Sequence, residues 1–178
     1  MANRKCEICR KTFEKQRMGQ KVCSAACSYK KVIADSQKLA RKQNRQMKAE
    51  FNQNDKGWNF EQAQKAFNAF IRARDKDLGC ISCVGANESN QFDAGHYRTI
   101  GAAGQLRFTE DNCHRQCSQC NRKKSGNIRG YRIMLIQKIG LTRVEALETN
   151  NEIRRWTIPE LQMIATKYKI KLNELNDE

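Results

Sequence analysis

No apolar run in this 178-residue chain approaches the length that crosses a bilayer. No signal peptide is recognisable either, so we expect a soluble cytoplasmic protein. Hydrophobic residues make up only 39% of the chain and Trp occurs twice, which predicts one or two small domains with a modest core. The sequence also lacks internal repeats and a low-complexity tail. These absences argue against membrane-spanning and repeat architectures.

Cysteine, in contrast, is abundant. Nine Cys residues in a chain without a signal peptide indicate reduced thiols and bound metal in place of disulfides. Eight of them form closely spaced pairs, and two such pairs supply the four thiolates of a tetrahedral zinc site. We predict two structural Zn²⁺ sites, one on Cys6, Cys9, Cys23 and Cys27, the other on Cys80, Cys83, Cys117 and Cys120. The remaining Cys113 is expected to be a small buried group.

Positive charge is concentrated near the N-terminus. The chain carries a net charge of +15, and residues 1–60 hold 15 Lys/Arg against 5 Asp/Glu, or +10. Such a surface attracts a polyanion through counterion release. Because this charge coincides with zinc-type modules, we predict a nucleic-acid partner and no membrane partner. The alternative interpretation of this charge is a solvated surface that binds no specific partner.

The segment between the second pair of Cys motifs is the candidate catalytic region. Cys83 and Cys117 are separated by 33 residues, more than a single zinc finger needs. Asp93, His96 and Asn112 lie in that segment. A zinc clamp that holds a carboxylate, a histidine and an asparagine close together suggests an HNH-type nuclease.

Phosphodiester hydrolysis needs an activated water and a cation that neutralises charge on the phosphate and leaving oxygen. His96 is the candidate general base, since a neutral imidazole accepts a proton near neutral pH. Asp93, Asn112 and Asn121 are candidate ligands or orienting groups for a hard cation, Mg²⁺ or Mn²⁺. The residues predicted to contact DNA are Arg98, Arg115, Arg122, Lys123 and Lys124.

Hydrophobic spacing and capping residues predict several elements. Ser24 can cap a first helix, and Thr157 with Glu160 forms a capping box for the last. Residues 29–56 are predicted to form an exposed helix or a partly disordered linker, with Gly57 as its end. The other predicted elements are a helix over 60–77, a strand over 91–98, a basic helix from 121 to 139, a helix over 143–150 and the final helix to about 175.

The pattern Asn112-x4-Cys117-x2-Cys120-Asn121-x2-Lys124 resembles the second half of the HNH, or ββα-metal, motif. Asp93-Ala-Gly-His96-Tyr looks like its first strand. With the N-terminal finger, the helix after Phe60 and the Arg155-Trp156 segment, the whole chain resembles the NinG family of lambdoid phages. That family includes the Rap recombination endonuclease.

The resemblance implies a phage protein of the host cytoplasm that nicks or resolves branched DNA, such as a D-loop or Holliday junction, with a homodimer as the candidate oligomeric state. It implies a small zinc-stabilised α+β fold made of an N-terminal zinc finger (1–32), a basic linker or helix (33–58), an HNH-like module with its preceding helix (59–140) and a C-terminal helical segment (141–178). By position, His96 is the base, Asn121 replaces the last histidine of the motif as a metal ligand, and Asn112 holds the loop or orients His96.

Two departures from the usual motif and three alternatives accompany this interpretation. The usual Asp-His dipeptide is spread out here to Asp93-Ala-Gly-His96, and the last ligand is Asn instead of His. Asp93 could instead cap a turn. His114 could face the active site, but we expect it to be exposed or to play a supporting role. The alternative function is a zinc-stabilised, non-catalytic DNA-binding adaptor of recombination.

Overall fold

A computed structural model describes residues 3–83 and 91–177. The chain divides into two compact units, Met1–Gln53 and Asn54–Glu178. In the described part of the chain, no helix has the length and apolar character needed to cross a membrane.

The first unit is a small cysteine-rich finger that leads into a long helix. Strands β1 (Asn3–Lys5) and β2 (Thr12–Glu14) pair antiparallel, with Arg4 opposite Phe13. Helix α1 (Ala25–Asn54) follows at once, and the Ser24 hydroxyl accepts a hydrogen bond from the Cys27 amide at 3.3 Å, as predicted for its N-terminus. Of the two alternatives predicted for residues 29–56, the structure shows the helix, which covers this segment as far as Asn54.

Gly57 does not end α1, contrary to the prediction. The chain turns at Asp55, whose carboxylate accepts from the Trp58 amide at 2.5 Å and caps the next helix. Gly57 lies in the first turn of that helix. The Asp55 side chain accepts from a main-chain amide that has no partner within the new helix. This hydrogen bond stabilises the helix start at residue 56.

The second unit consists of helices packed around one β-hairpin. Its elements are α2 (Lys56–Arg74), β3 (Phe92–His96), β4 (Cys113–Cys117), α3 (Ile128–Ile139), α4 (Leu141–Thr149) and α5 (Ile158–Asp177). Short 3₁₀ turns lie at Gly104–Leu106 and Glu110–Asn112, and a π-helical turn spans Gln119–Lys123. Helix α2 begins four residues earlier and ends three residues earlier than the predicted 60–77, and the predicted 91–98 strand is confirmed in its middle.

The hairpin separates two apolar clusters. Strands β3 and β4 pair antiparallel, with Asp93 opposite Gln116 and His96 opposite Cys113. On one side, Phe67 of α2 and Tyr168 of α5 stack edge-on with ring centroids 4.8 Å apart, and Cys113 belongs to the same cluster. On the other side, the buried Tyr131 of α3 donates its hydroxyl to the Gly95 carbonyl at 2.9 Å. Alternate side chains of one strand therefore face different clusters.

The prediction of one continuous basic helix from 121 to 139 is wrong for residues 124–127. After the π-helical turn, Gly126 and Asn127 adopt left-handed φ of 86° and 44°, and α3 starts only at Ile128. The Asn127 amide donates to the Ser82 carbonyl at 2.6 Å, which ties this break to the Cys80–Cys83 turn. The contact with the Cys80–Cys83 turn thus stabilises a break in the predicted helix.

The last helix begins as predicted. The Thr157 amide donates to Glu160 Oε2 at 2.7 Å, and the Glu160 amide donates to Thr157 Oγ1 at 3.4 Å, forming the reciprocal capping box. Taken together, the described residues form a mostly helical α+β structure with two small two-stranded sheets. The expected α+β class is confirmed, whereas an HNH core remains a prediction.

Candidate active site

The cysteine cluster of the second unit has the geometry of a tetrahedral zinc site. The sulfurs of Cys80, Cys83, Cys117 and Cys120 all lie within 4.8 Å of one another. Cys83 Sγ and Cys117 Sγ are 4.0 Å apart. Zinc–thiolate bonds of about 2.3 Å at tetrahedral angles place sulfurs roughly 3.8 Å apart, so the four side chains fit Zn²⁺.

Main-chain amides support these sulfurs. Cys80 Sγ accepts from the amides of Ser82 at 3.4 Å and Cys117 at 3.3 Å, and Cys117 Sγ accepts from the Cys120 amide at 3.4 Å. Donors around a thiolate fix its orientation and stabilise its negative charge. The end of β4 and the following turn are therefore held in place by the cluster.

The N-terminal cluster has a similar arrangement. Cys6, Cys9, Cys23 and Cys27 offer sulfurs within 4.8 Å of one another. The separations are 3.5 Å for Cys9–Cys23 and 3.7 Å for Cys23–Cys27. Both clusters thus match the two predicted zinc sites in membership and spacing.

Asp93 and Asn121 meet beside the second cluster. Asn121 directly follows Cys120, and Asp93 of β3 lies next to Phe92, which pairs with Cys117. The Asn121 amide donates to Asp93 Oδ2 at 3.0 Å. The structure thus brings a predicted carboxylate and a predicted amide ligand together.

Arg122 completes this polar cluster. Its Nε and Nη2 donate to the two carboxylate oxygens of Asp93, each at 3.0 Å. Burial opposes ionisation of Asp93, but the hydrogen bonds from Arg122 and Asn121 outweigh it and lower the pKa of the carboxyl. Asp93 is therefore a negatively charged oxygen donor at neutral pH.

His96 faces the other side of the hairpin. Residues three apart on a strand point to opposite faces, and the His96 ring centroid lies 6.1 Å from that of Phe67. Its Nε2 lies 2.9 Å from the Arg107 carbonyl oxygen, and its Nδ1 lies 3.7 Å from Cys113 Sγ. A carbonyl only accepts, so Nε2 carries the proton and Nδ1 has the lone pair.

The protonation state of His96 follows from its surroundings. Burial lowers its pKa below the usual value, despite the opposing hydrogen bond to the Arg107 carbonyl. The imidazole is consequently neutral at pH 7. Both ring nitrogens have neighbours within the protein, and neither neighbour is Asp93 or Asn121.

Asn112 is a loop-holding residue in the structure. It is fully buried, its Oδ1 accepts from the Arg98 amide at 2.9 Å, and its Nδ2 donates to the carbonyls of Arg98 at 3.0 Å and Leu106 at 3.3 Å. These bonds fasten the segment after β3 to the start of β4. Of the two expected roles for Asn112, its contacts support holding the loop.

Cys113 and His114, the first two residues of β4, are both buried. Cys113 is 0% exposed, as predicted. His114 is only 2% exposed, so the exposed alternative for its side chain is wrong, and its supporting role stays a prediction. His114 Nδ1 lies 2.6 Å from the Cys113 carbonyl, and Arg74 Nη2 lies 3.3 Å from the same nitrogen. Burial, reinforced by the positive charges of Lys138 and Arg74, lowers the pKa of His114 to about 3.

Two of the predicted DNA contacts direct their donors to main-chain carbonyls. Arg98 donates to Leu147, Glu148 and Asn150 carbonyls at 2.6–3.2 Å around the end of α4. Arg115 donates to the carbonyls of Asp75, Lys76 and Leu78 after α2, and its guanidinium lies 3.7 Å from the Phe92 ring centroid. Both side chains satisfy carbonyls at helix C-termini.

The other three predicted DNA contacts lie in the π-helical turn (Arg122 and Lys123) or directly after it (Lys124). Arg122 pairs with Asp93, whereas the side chains of Lys123 and Lys124 are exposed. These lysines are adjacent in sequence to Asn121 and Arg122. The turn after the zinc cluster thus presents cations next to the Asp93–Asn121 pair.

Sequence reasoning missed Asp75. This carboxylate is 2% exposed and contacts Arg74 at 2.8 Å, Lys138 at 3.1 Å and the Arg115 amide at 3.1 Å. Burial opposes its ionisation, but Arg74, the Arg115 amide and Lys138 lower its pKa to about 2. An Arg-Asp pair at the end of an amphipathic helix is the only sequence signal, and it does not reveal burial.

Comparisons with known proteins agree on one family. The family model described as "Bacteriophage Lambda NinG protein" matches residues 1–178. The chain is 54% identical over 116 residues to protein ninG of Salmonella phage P22 and of Escherichia phage lambda. This region is 65% of the chain and 57% and 56%, respectively, of those relatives. The match thus spans little more than half of the relatives' length, and no solved structure matches.

Proposed function

The chain belongs to the bacteriophage lambda NinG family, and from this premise we propose that it is a metal-dependent endonuclease that nicks or resolves branched DNA. The observation that carries the proposal is the Asp93–Asn121 pair beside the Cys80–Cys120 cluster. It supplies two oxygen-bearing side chains at one point. Asp93 is an ionised carboxylate, and Asn121 is held in place because it directly follows the predicted zinc ligand Cys120 in the chain.

The donor set suits a hard cation. Mg²⁺ and Mn²⁺ prefer carboxylate, amide and water oxygens and need few protein ligands. Asp93 remains charged because Arg122 and Asn121 hydrogen-bond to it. A bound Mg²⁺ or Mn²⁺ would neutralise charge on the scissile phosphate and on the leaving oxygen. Asn121 would turn its amide so that Oδ1 rather than Nδ2 faces the ligand site.

His96 is assigned the role of general base in this proposal. Its lowered pKa keeps it neutral, which is the protonation state that a base requires. The Arg107 carbonyl fixes the proton on Nε2, so Nδ1 is the nitrogen that can accept a proton. Because Nδ1 faces Cys113 at 3.7 Å, the His96 side chain must leave both this contact and the Arg107 carbonyl before Nδ1 can reach a water near the phosphate.

The cations around the site fit a DNA backbone. Lys123 and Lys124 are exposed directly after Asn121 and can contact phosphates that flank the scissile bond. Preference for branched over linear DNA rests on the family resemblance. A surface that contacts phosphates recognises the shape of DNA in preference to its sequence.

One observation favours a second candidate, a zinc-stabilised DNA-binding adaptor without catalysis. Both ring nitrogens of His96 have protein neighbours, and the imidazole does not contact the Asp93–Asn121 pair. In such an adaptor, His96 would stabilise the packing of β3 against Phe67. The two zinc clusters and the basic surface would serve binding alone.

A cleavage assay separates the two candidates. Four-way junction, D-loop and linear duplex DNA of matched sequence are incubated with zinc-replete protein, with and without added Mg²⁺ or Mn²⁺. Omitting the divalent cation is preferable to a chelator, because a chelator also strips structural zinc and unfolds small zinc modules. We expect divalent-dependent nicks in the branched substrates.

Asp93→Asn and Asp111→Asn form a matched pair for the same assay. Arg143 binds Asp111 through both carboxylate oxygens, as Arg122 binds Asp93. We expect only Asp93→Asn to abolish nicking. Folded wild-type protein that binds all three DNAs and cuts none would establish the adaptor instead, and equal cutting of linear duplex would refute selectivity for branches.

A further inference from the structure

Helix α1 carries its positive charges on one side. Between Ala25 and Asn54 it has seven basic residues: Lys30, Lys31, Lys38, Arg41, Lys42, Arg45 and Lys48. At about 3.6 residues per turn, all seven fall within a sector of roughly 120°. The two acidic residues of the helix, Asp35 and Glu50, fall outside that sector. We call these seven residues the basic face of α1.

The basic face is long and accessible. It runs for about 27 Å from Lys30 to Lys48 at 1.5 Å per residue. Six of its side chains are exposed, and Lys31 is half-buried because it pairs with Glu7 at 2.9 Å and Asp35 at 3.2 Å. The first turn of α1 contains Cys27 of the N-terminal cluster, so that cluster anchors one end of the face.

The opposite side of α1 bears exposed apolar residues, including Tyr29, Leu39, Met47 and Phe51. This pattern also occurs in helices that lie on membranes. Here the apolar side is interrupted by Ser36 and by Gln43 and Asn44 between Leu39 and Met47. A discontinuous apolar side does not support insertion into lipid, whereas Lys38, Arg41, Lys42 and Arg45 of the basic face follow one another within eight residues. The charge therefore favours a soluble polyanion.

We propose that the basic face of α1 binds the phosphate backbone of nucleic acid along its length. The inference rests on the proposed DNA substrate and assigns its main electrostatic contact to one face of a helix in the first unit, whereas Asp93 and Asn121 belong to the second unit. Duplex DNA presents about one charge per 1.7 Å of axis, so a 27 Å face spans more phosphates than it has cations. Lysine and arginine side chains that neutralise phosphates release counterions and make binding depend on salt.

The test replaces Lys38, Arg41, Lys42 and Arg45 with Gln in the full chain. Gln keeps helix propensity while it removes charge. The control replaces four exposed cations outside α1, at Lys65, Arg155, Lys167 and Lys169, with Gln, and so lowers the net charge equally. Binding to junction DNA is measured from 50 to 300 mM salt without added divalent cation.

Each neutralised phosphate adds about 0.9 to the slope of log K against log salt. We therefore expect the α1 variant to reduce the magnitude of the slope by about 3 to 4, and the control to change it much less. Equal reductions in the two variants would show that binding follows net charge alone, and an unchanged slope in the α1 variant would show that this face does not bind DNA. Either result overturns the inference.

Two further measurements separate this inference from its alternatives. Cosedimentation with vesicles that contain phosphatidylserine measures lipid binding; loss of lipid binding in the α1 variant with an unchanged DNA slope would assign the face to membranes and overturn the inference. Cleavage by wild-type protein tests the proposed function separately. A protein that never cuts but shows the expected slope change loses the nuclease assignment and keeps the α1 assignment.

Discussion

Asn121 donates its side-chain amide to Asp93 at 3.0 Å across 28 residues of sequence. The contact forms because Asp93 stands on β3 one residue from the partner of Cys117, and Asn121 stands one residue after Cys120. The cysteine cluster thus sets the distance between the two side chains. If this pair holds the cation, then the structural zinc site positions the catalytic one.

Asn121→Ala should lower the nicking rate by roughly 10²-fold or more, since a metal that stabilises transition-state charge contributes several kcal/mol. Raising the Mg²⁺ or Mn²⁺ concentration should restore part of the rate, because Asp93 remains. Rates are measured across a titration of divalent cation. A loss that no metal concentration alleviates, in protein with normal zinc content, would argue that Asn121 is not a ligand.

His96→Ala should reduce the nicking rate on the order of 10²–10⁴-fold, the usual contribution of a general base. DNA affinity and zinc content should change little, since His96 belongs to neither of the two cysteine clusters. His114→Ala should be milder for activity, because that ring is buried among Arg74, Cys113 and Tyr131.

His96→Gln is the matched control for the structural alternative. A Gln amide can still donate to the Arg107 carbonyl but cannot act as a base at neutral pH. If His96 is the base, the Ala and Gln variants should be equally inactive. A Gln variant with near wild-type activity would identify His96 as a packing residue.

Zinc content should be two ions per chain in metal-replete protein, as the two clusters indicate. Cys120→Ser should lose one ion and destabilise the second unit, whereas Cys113→Ala should retain both, since Cys113 lies outside either cluster. Elemental analysis of the three proteins provides the measurement. A wild-type content near one or none would contradict the assignment of both sites.

His114 should make stability depend on pH. Its pKa is about 3 in the folded protein and about 6.5 when unfolded, so the unfolded chain binds more protons between these values. The stabilisation that results from a neutral His114 is complete above about pH 6.5 and decreases as pH falls toward 3. The wild type should therefore lose about 2 kcal/mol between pH 7 and pH 5 relative to His114→Gln.

The comparison with His114→Gln isolates this titration. Protonation of the zinc-binding cysteines affects both proteins and cancels in the difference between their free energies of unfolding. These energies are measured by denaturant titration at each pH. Parallel pH profiles for the two proteins would show that His114 does not titrate in this range.

Arg98→Ala should destabilise the fold by about 1–3 kcal/mol, because it leaves carbonyls at the end of α4 without their donor. Its effect on the salt dependence of DNA binding should be small. Lys124→Gln should do the opposite, with unchanged thermal stability and a slope smaller by about 1. Arg98→Ala protein with normal stability and a reduced salt slope would return Arg98 to the DNA interface.

Features that depend on local spacing could be predicted from sequence. The two cysteine clusters, the Ser24 cap and the Thr157–Glu160 capping box all appear where their motifs place them. Each arises from residues a few positions apart, or from paired thiols for which zinc is the partner. Local geometry then leaves few alternatives, so such motifs are reliable without a structure.

Other features were decided only by tertiary packing. Sequence spacing alone does not show that Asp93 contacts Asn121 while His96 faces Phe67 on the other side of the hairpin, because this follows from which helix covers each face of β3. Nor does an Arg reveal whether its guanidinium meets a phosphate or the carbonyls at a helix end, as Arg98 does. The charge and residue type are local properties of the sequence. The partner of each side chain depends on long-range contacts, and those exist only once the helices have packed around the β3–β4 hairpin.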